Sequence, residues 1–211
     1  MTTDWVQWHE PYADPASSLS RRRAVVQGVV GRWLDNRQGG AGRVLSMCAG
    51  DGRDVLEVLA GRPEDASLLD VILVELDPRL ASVAKALALD AGLDRVEVRV
   101  ADAGTTDSYV DATPADLVLA CGIFGNVSND DVHRTVAMLP GLCAEEALVV
   151  WTRGRDGTDP TPQVRRWFAE HEFAEREWHA PEDAGYSVGV HRLVGAPTPL
   201  EPARRLFTFL R

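Results

Sequence analysis

The sequence predicts a single α/β domain in three layers, with helices on both faces of an open, mostly parallel sheet. Apolar runs of strand length recur at Val44-Leu45, Val71 to Glu75, Val96 to Asp102, Asp116 to Cys121 and Ala147 to Thr152. Between most of them lie segments whose apolar residues repeat at helical spacing, the alternation that builds crossover units and hence a parallel sheet. A chain of 211 residues, 45% hydrophobic and 26% charged, supports one sizeable core and no second. We read residues 1–211 as one domain: an N-terminal strap and helix (1–40), a ligand-binding core (41–195) and a C-terminal extension (196–211).

Residues 2 to 17 are rich in aromatics and prolines. Trp5, Trp8 and Tyr12 need apolar cover, so the segment is expected either to close over the sheet edge as a lid or to pack along the sheet. Ser18 or Ser20 is expected to cap a helix to about Asn36, with Val25, Val26, Val29, Val30 and Trp33 on one side. Arg21, Arg22 and Arg23 fall in its first turn, where the helix dipole disfavours cations.

The chain is organised around Val44 to Asp54, which reads as strand, tight glycine turn and helix. In an open α/β sheet that turn lies at the carboxyl edge, where Gly50 and Gly52 let the backbone approach a ligand closely. A dinucleotide fingerprint needs a glycine where Val55 stands, and a P-loop needs a lysine where none occurs, the single lysine being Lys85. Val71 to Val74 ends in Glu75, after which Asp77 and Pro78 open a helix to Ala91. A carboxylate at that strand tip is placed to accept both hydroxyls of a ribose. Val96 to Val100 alternates with period two toward Asp102, an acid suited to an adenine amino group. Thr105 to Ala112 reads as a short helix at most. The strand Asp116 to Cys121 leads into Gly122-Ile-Phe-Gly-Asn126, and Ser128 with Asp131 makes a capping box. A helix from Thr161, a hairpin from Phe173 to Trp178 and Tyr186 to Val194, and a short edge strand at Leu206 to Leu210 complete the expected elements.

Glycine turn, acid after strand two, acid after strand three: this order resembles the class I, Rossmann-like S-adenosylmethionine (SAM)-dependent methyltransferases from about Arg43 to Val194. The resemblance implies a seven-stranded sheet with an antiparallel last strand and SAM as cofactor, with S-adenosylhomocysteine as product. It also implies cofactor contacts from Ser46, Cys48, Ala49, Gly50 and Gly52 to the methionine part, Glu75 and Leu76 to the ribose region, Asp102 and Ala103 to adenine, and Cys121 and Gly122 near the methyl group. Arg22 is expected at the cofactor carboxylate. The family usually carries an acid where Ser46 stands and a glycine where Cys48 stands. A partner for the cofactor's ammonium group must then come from elsewhere.

Transfer from a sulfonium is an in-line displacement in which the protein mainly aligns donor and acceptor. If the acceptor is a hydroxyl, a near-neutral base helps, and His9 on the strap is the first candidate, with Asn126 at the fourth strand tip as the second catalytic residue. Trp5, Trp8, Tyr12, Phe124 and Arg153 are the expected substrate contacts. A net charge of −10 argues against a nucleic-acid partner, and the signatures of base and glutamine methylation after strand four are missing. A small, apolar or aromatic metabolite of secondary metabolism, methylated on oxygen or nitrogen, is the expected acceptor. Cys48, Cys121 and Cys143 form no C-x-x-C pair, so no disulfide framework or metal is expected. The chain reads as cytoplasmic, with no membrane partner. The competing readings are a non-catalytic SAM-binding or interaction protein on the same fold and, against the Val55 position, a nucleotide-dependent oxidoreductase.

Overall fold

A computed structural model describes residues 14, 16–37, 39–155, 157 and 159–210. Helix α1 (Ser18–Asn36) is capped one residue before the earlier of the two expected caps: Ser17 accepts from the Ser20 N–H. Val26, Val29, Val30 and Leu34 are buried, while Trp33 is only partly covered and carries the Arg37 guanidinium 4.8 Å from its ring centre. Arg21 and Arg32 pair with Asp183 and Glu177, tying the helix to the far end of the chain.

Strand β1 (Gly42–Met47) turns into α2 (Arg53–Ala60) and the short α3 (Pro63–Ala66). Strand β2 (Leu69–Glu75), α4 (Pro78–Asp90) and β3 (Val96–Val100) follow. Asp77 caps α4 by accepting from the Arg79 N–H, with Pro78 at its first position. A single 3-10 turn (Thr106–Tyr109) leads to β4 (Ala115–Ala120), then α5 (Asn129–Met138), a second 3-10 turn (Leu139–Gly141) and β5 (Cys143–Gly154). Ser128 caps α5, yet the expected box is only half made, because the Asp131 carboxylate turns instead to Arg134 and the Thr208 N–H. Helix α6 (Thr161–Glu170) and strands β6 (Phe173–His179) and β7 (Tyr186–Leu193) complete the elements.

The sheet has seven strands in the order β3-β2-β1-β4-β5-β7-β6. Strands β1 to β5 pair in parallel; β7 runs antiparallel between β5 and β6. This is a Rossmann-like α/β/α architecture with an antiparallel last strand. One apolar layer joins α1, α2 and α4 to the sheet through Val29, Leu56, Leu73 and Ala84; the other lies under α5 and α6 around Phe124, Trp151, Phe168 and Phe207. Within it, Trp151 donates its indole N–H to His191 Nδ1 at 3.1 Å, and burial pushes the His191 pKa down to about 4. The imidazole is therefore neutral and structural at ordinary pH.

The edge strand expected at Leu206 to Leu210 does not form. The segment makes two isolated bridges, Arg205 to Thr105 and Phe209 to Val127, because its backbone bonds to loops at the carboxyl ends of the strands rather than to a neighbouring strand.

Candidate active site

Reversal of strand order places a crevice outside the carboxyl ends of β1 and β4, where such sheets take their ligands. Its floor is the turn after β1. Cys48, Gly50 and Gly52 all have positive φ, 51°, 59° and 75°, so the chain folds back tightly before α2. The Ala49 N–H donates to the Val74 carbonyl at 2.9 Å, which ties the turn to β2. Ser46 lies within β1, 5% exposed between Leu73 and Leu119 of the flanking strands.

Glu75 ends β2 and is 8% exposed. Its carboxylate is held by two backbone donors, Gly50 N–H to Oε2 and Asp77 N–H to Oε1, both at 2.8 Å. The strand-two acid therefore shapes the glycine turn as well as facing the crevice. Beside it Leu76 is 63% exposed, an apolar side chain left uncovered at the mouth. Asp102, after β3, has its two oxygens engaged by the Gly104 N–H at 2.8 Å and by Arg205 at 2.6 Å. Ala103 next to it is buried.

Two thiols border the crevice. Burial pushes the Cys48 thiol well above its ordinary pKa, and the negative charges of Glu75 and Asp102 push it further. Burial and the charge of Asp54 do the same for Cys121, after β4. Both are protonated at neutral pH, and a protonated thiol is a poor nucleophile.

Asp54, in the first turn of α2, is half-buried, and burial raises its pKa to about 6 against the opposing pull of Arg22. Among the described residues its carboxylate has no hydrogen bond or ion pair. Arg22 thus reaches the electrostatic neighbourhood of the crevice, acting on both Asp54 and Cys121. The sequence marks this acid only faintly, as a second carboxylate immediately after the turn.

The exit of β4 is braced from three sides. The Gly122 N–H donates to Thr152 Oγ1 at 2.9 Å, the Asn126 side-chain amide donates to the Gly122 carbonyl at 2.8 Å, and Arg153 donates to the Phe124 carbonyl and, at 3.3 Å, to Asn129. Gly122 has φ 73° with nothing within 4 Å of where a side chain would begin, so its backbone faces open space. One expected substrate contact, Phe124, is corrected here. Phe124 is fully buried between Trp151 and Phe168, because the turn directs it into the core. Arg153 spends its guanidinium on the loop, and burial lowers its pKa. Trp5, Trp8, His9 and Tyr12 lie outside the described residues. Among the described residues no group of three or more His, Cys, Asp and Glu is gathered to hold a metal, and no helix is long and apolar enough to cross a membrane.

Solved methyltransferase structures share this architecture. Magnesium protoporphyrin IX methyltransferase from Synechocystis, determined with bound SAM, superposes with a TM-score of 0.67 at 13% identity, over 90% of this chain and 91% of that one. The CurJ carbon methyltransferase gives 0.64 at 15% identity, over 92% and 62%. An O-methyltransferase family 2 protein from Planctomyces limnophilus, in complex with apigenin, gives 0.59 at 17% identity, over 86% and 63%. No protein-family model and no curated protein sequence matches the chain.

Proposed function

We propose that this chain is a SAM-dependent methyltransferase that methylates oxygen or nitrogen of a small, apolar or aromatic metabolite. The observation that carries the reading is Glu75: an acid at the tip of β2, buried, with its two oxygens pinned to the turn after β1 and the start of α4. Each oxygen keeps a second lone-pair site, and a carboxylate fixed beside a glycine turn suits the paired hydroxyls of a ribose.

The other residues fit the cofactor. Leu76 offers an apolar face for the adenine ring and Asp102 an acceptor for its amino group. Arg22 offers a cation for the cofactor's carboxylate, and Asp54, with no hydrogen bond or ion pair of its own among the described residues, supplies the ammonium counter-charge that Ser46 lacks. The open approach over Gly122 gives the acceptor a route to the β4 tip. This constellation sets it apart from a generic α/β crevice.

Bound SAM supplies a methyl group on a sulfonium, already activated toward displacement. The chain then has to align the acceptor, keep water out and leave nothing more reactive nearby. Protonated Cys48 and Cys121 meet the last requirement. Asn126 holds the β4 exit loop in place through Gly122, a positioning role. His9 is the proposed base where the acceptor is a hydroxyl, and Trp5, Trp8 and Tyr12 are the proposed apolar walls of the acceptor site. The apigenin complex of the Planctomyces relative and the net charge of −10 favour a small acceptor over a nucleic acid.

Calorimetric titration of S-adenosylhomocysteine, with NAD as control, tests the cofactor assignment. We expect micromolar binding that Glu75→Ala weakens by about tenfold or more, the scale of a lost charged hydrogen bond. Binding of NAD without the homocysteine compound would overturn the reading. A screen of phenols and amines for transfer of a labelled methyl group then tests the acceptor class.

A further inference from the structure

The segment from Ala203 to Leu210 forms a strap across the carboxyl ends of β3 and β4. Its backbone is fastened at successive points. The Ala203 N–H donates to Asp107 at 2.8 Å; Arg204 and Thr106 exchange bonds at 3.0 Å in both directions. The Leu206 N–H donates to the Gly104 carbonyl at 2.8 Å and the Leu206 carbonyl accepts from Thr135 at 3.1 Å. Farther on, the Thr208 N–H donates to Asp131 at 3.1 Å and the Leu210 N–H to the Asn126 carbonyl at 2.9 Å. Leu206 and Phe207 are completely buried. The strap is thus an integral part of the fold, joining the loop after β3 to the loop after β4.

One side chain of the strap points to the crevice. Arg205 donates to Asp102 Oδ2 at 2.6 Å while the Gly104 N–H holds Oδ1. Both side chains of the pair are about half exposed, 50% and 46%, and an ion pair so exposed adds little to stability. Its consequence is geometric. An exposed aspartate is free to rotate, whereas this one is clamped on both oxygens and keeps one acceptor site free on each.

We propose that Arg205 is a positioning residue that fixes Asp102 as the reader of the cofactor's base, making the site selective for a 6-amino over a 6-oxo purine. The inference rests on the SAM reading above. A fixed carboxylate accepts from an exocyclic amino group. Against a 6-oxo base its free acceptor site meets a second acceptor at that position and neither gains a donor, and a site built to pair one group rejects the analogue that lacks it. A carboxylate able to swing away loses that discrimination, since the mismatch is then relieved by water.

The test is calorimetric titration of S-adenosylhomocysteine and of its deaminated counterpart S-inosylhomocysteine into wild type, Arg205→Ala, Arg205→Lys and Asp102→Asn, with thermal unfolding of each. Wild type is expected to prefer the amino compound by about tenfold or more. Arg205→Ala should shrink the preference at least about fivefold while unfolding as wild type does, Asp102→Asn should remove it, and Arg205→Lys should restore most of it. A general loosening of the loop would weaken both compounds alike. If wild type discriminates and Arg205→Ala discriminates equally well, the role of Arg205 is overturned and the cofactor reading stands. If wild type binds neither compound, the cofactor reading falls and takes this inference with it.

Discussion

Two carboxylates stand at adjacent strand tips of this protein, and the chain holds them in opposite ways. Glu75 is buried and secured by backbone donors 25 and 2 residues away; Asp102 is half exposed and secured on one side by an arginine 103 residues downstream. The first is part of the skeleton of the glycine turn, so its loss damages fold and site together. The second is held by one backbone donor, Gly104, and by a side chain that the fold can spare, so its loss falls mainly on the site. Two acids of similar chemical role can therefore differ completely in what they contribute to stability.

Replacement by alanine gives the largest separation. Glu75→Ala leaves two N–H groups without an acceptor and is expected to lower unfolding free energy by about 2–4 kcal/mol, read by urea denaturation. Asp102→Ala, in the same measurement, strands one such group, the Gly104 N–H, and should cost about 1–2 kcal/mol. Equal losses would break the distinction. Next in size is Gly104→Ala. A Cβ there would meet the Phe207 carbonyl at 2.5 Å, a backbone atom unable to swing aside, and we expect about 1–3 kcal/mol of destabilisation with weakened S-adenosylhomocysteine binding. That outcome would tie the strap to the adenine loop independently of Arg205.

A third acid sharpens the comparison through pH. Asp54 is raised to about 6 by burial, and it faces Asp51, Glu57, Arg22, Arg23 and Cys121. Above that value it is ionised and can meet an ammonium group; below it the charge is lost. Affinity for S-adenosylhomocysteine is therefore expected to fall about three- to tenfold from pH 7 to pH 5, and Asp54→Asn should be weaker at pH 7 and flat across the range. A flat wild-type profile would remove Asp54 from the site.

The sequence was most legible where structure is local. Periodicity gave the strands β1 to β5, the helices other than the one-turn α3 (Pro63–Ala66) and the hairpin in order, and the glycine spacing marked the crevice, because each of these is written within a few consecutive residues. The cap of α1 was misplaced by a residue among several adjacent serines, a choice that only the bond from Ser20 decides. Phe124 illustrates a different limit: its place in the exit loop was readable, but whether a loop residue faces ligand or core depends on the α5 and α6 layer packed over it. Arg205 had no local signal at all. Its partner is fixed by the path of the strap over the sheet edge, and Leu206 to Leu210 looks in sequence like an edge strand because a short apolar run serves a buried strap as well as a strand. Asp54 was visible as a residue but not as a site, since its exceptional feature is its burial beside the crevice, which only the fold sets.

The fastening of the strap also has a kinetic side. Binding and local opening are reciprocal: a ligand that bonds to the loop after β3 must hold closed whatever that loop holds in place. The amides of Leu206 and Leu210, bonded to Gly104 and Asn126, should therefore exchange with solvent deuterium several-fold more slowly when S-adenosylhomocysteine is present, although neither residue is expected to touch it. Occupancy of the crevice would then be reported from the C-terminal segment, by amides on the far side of the loop from the ligand.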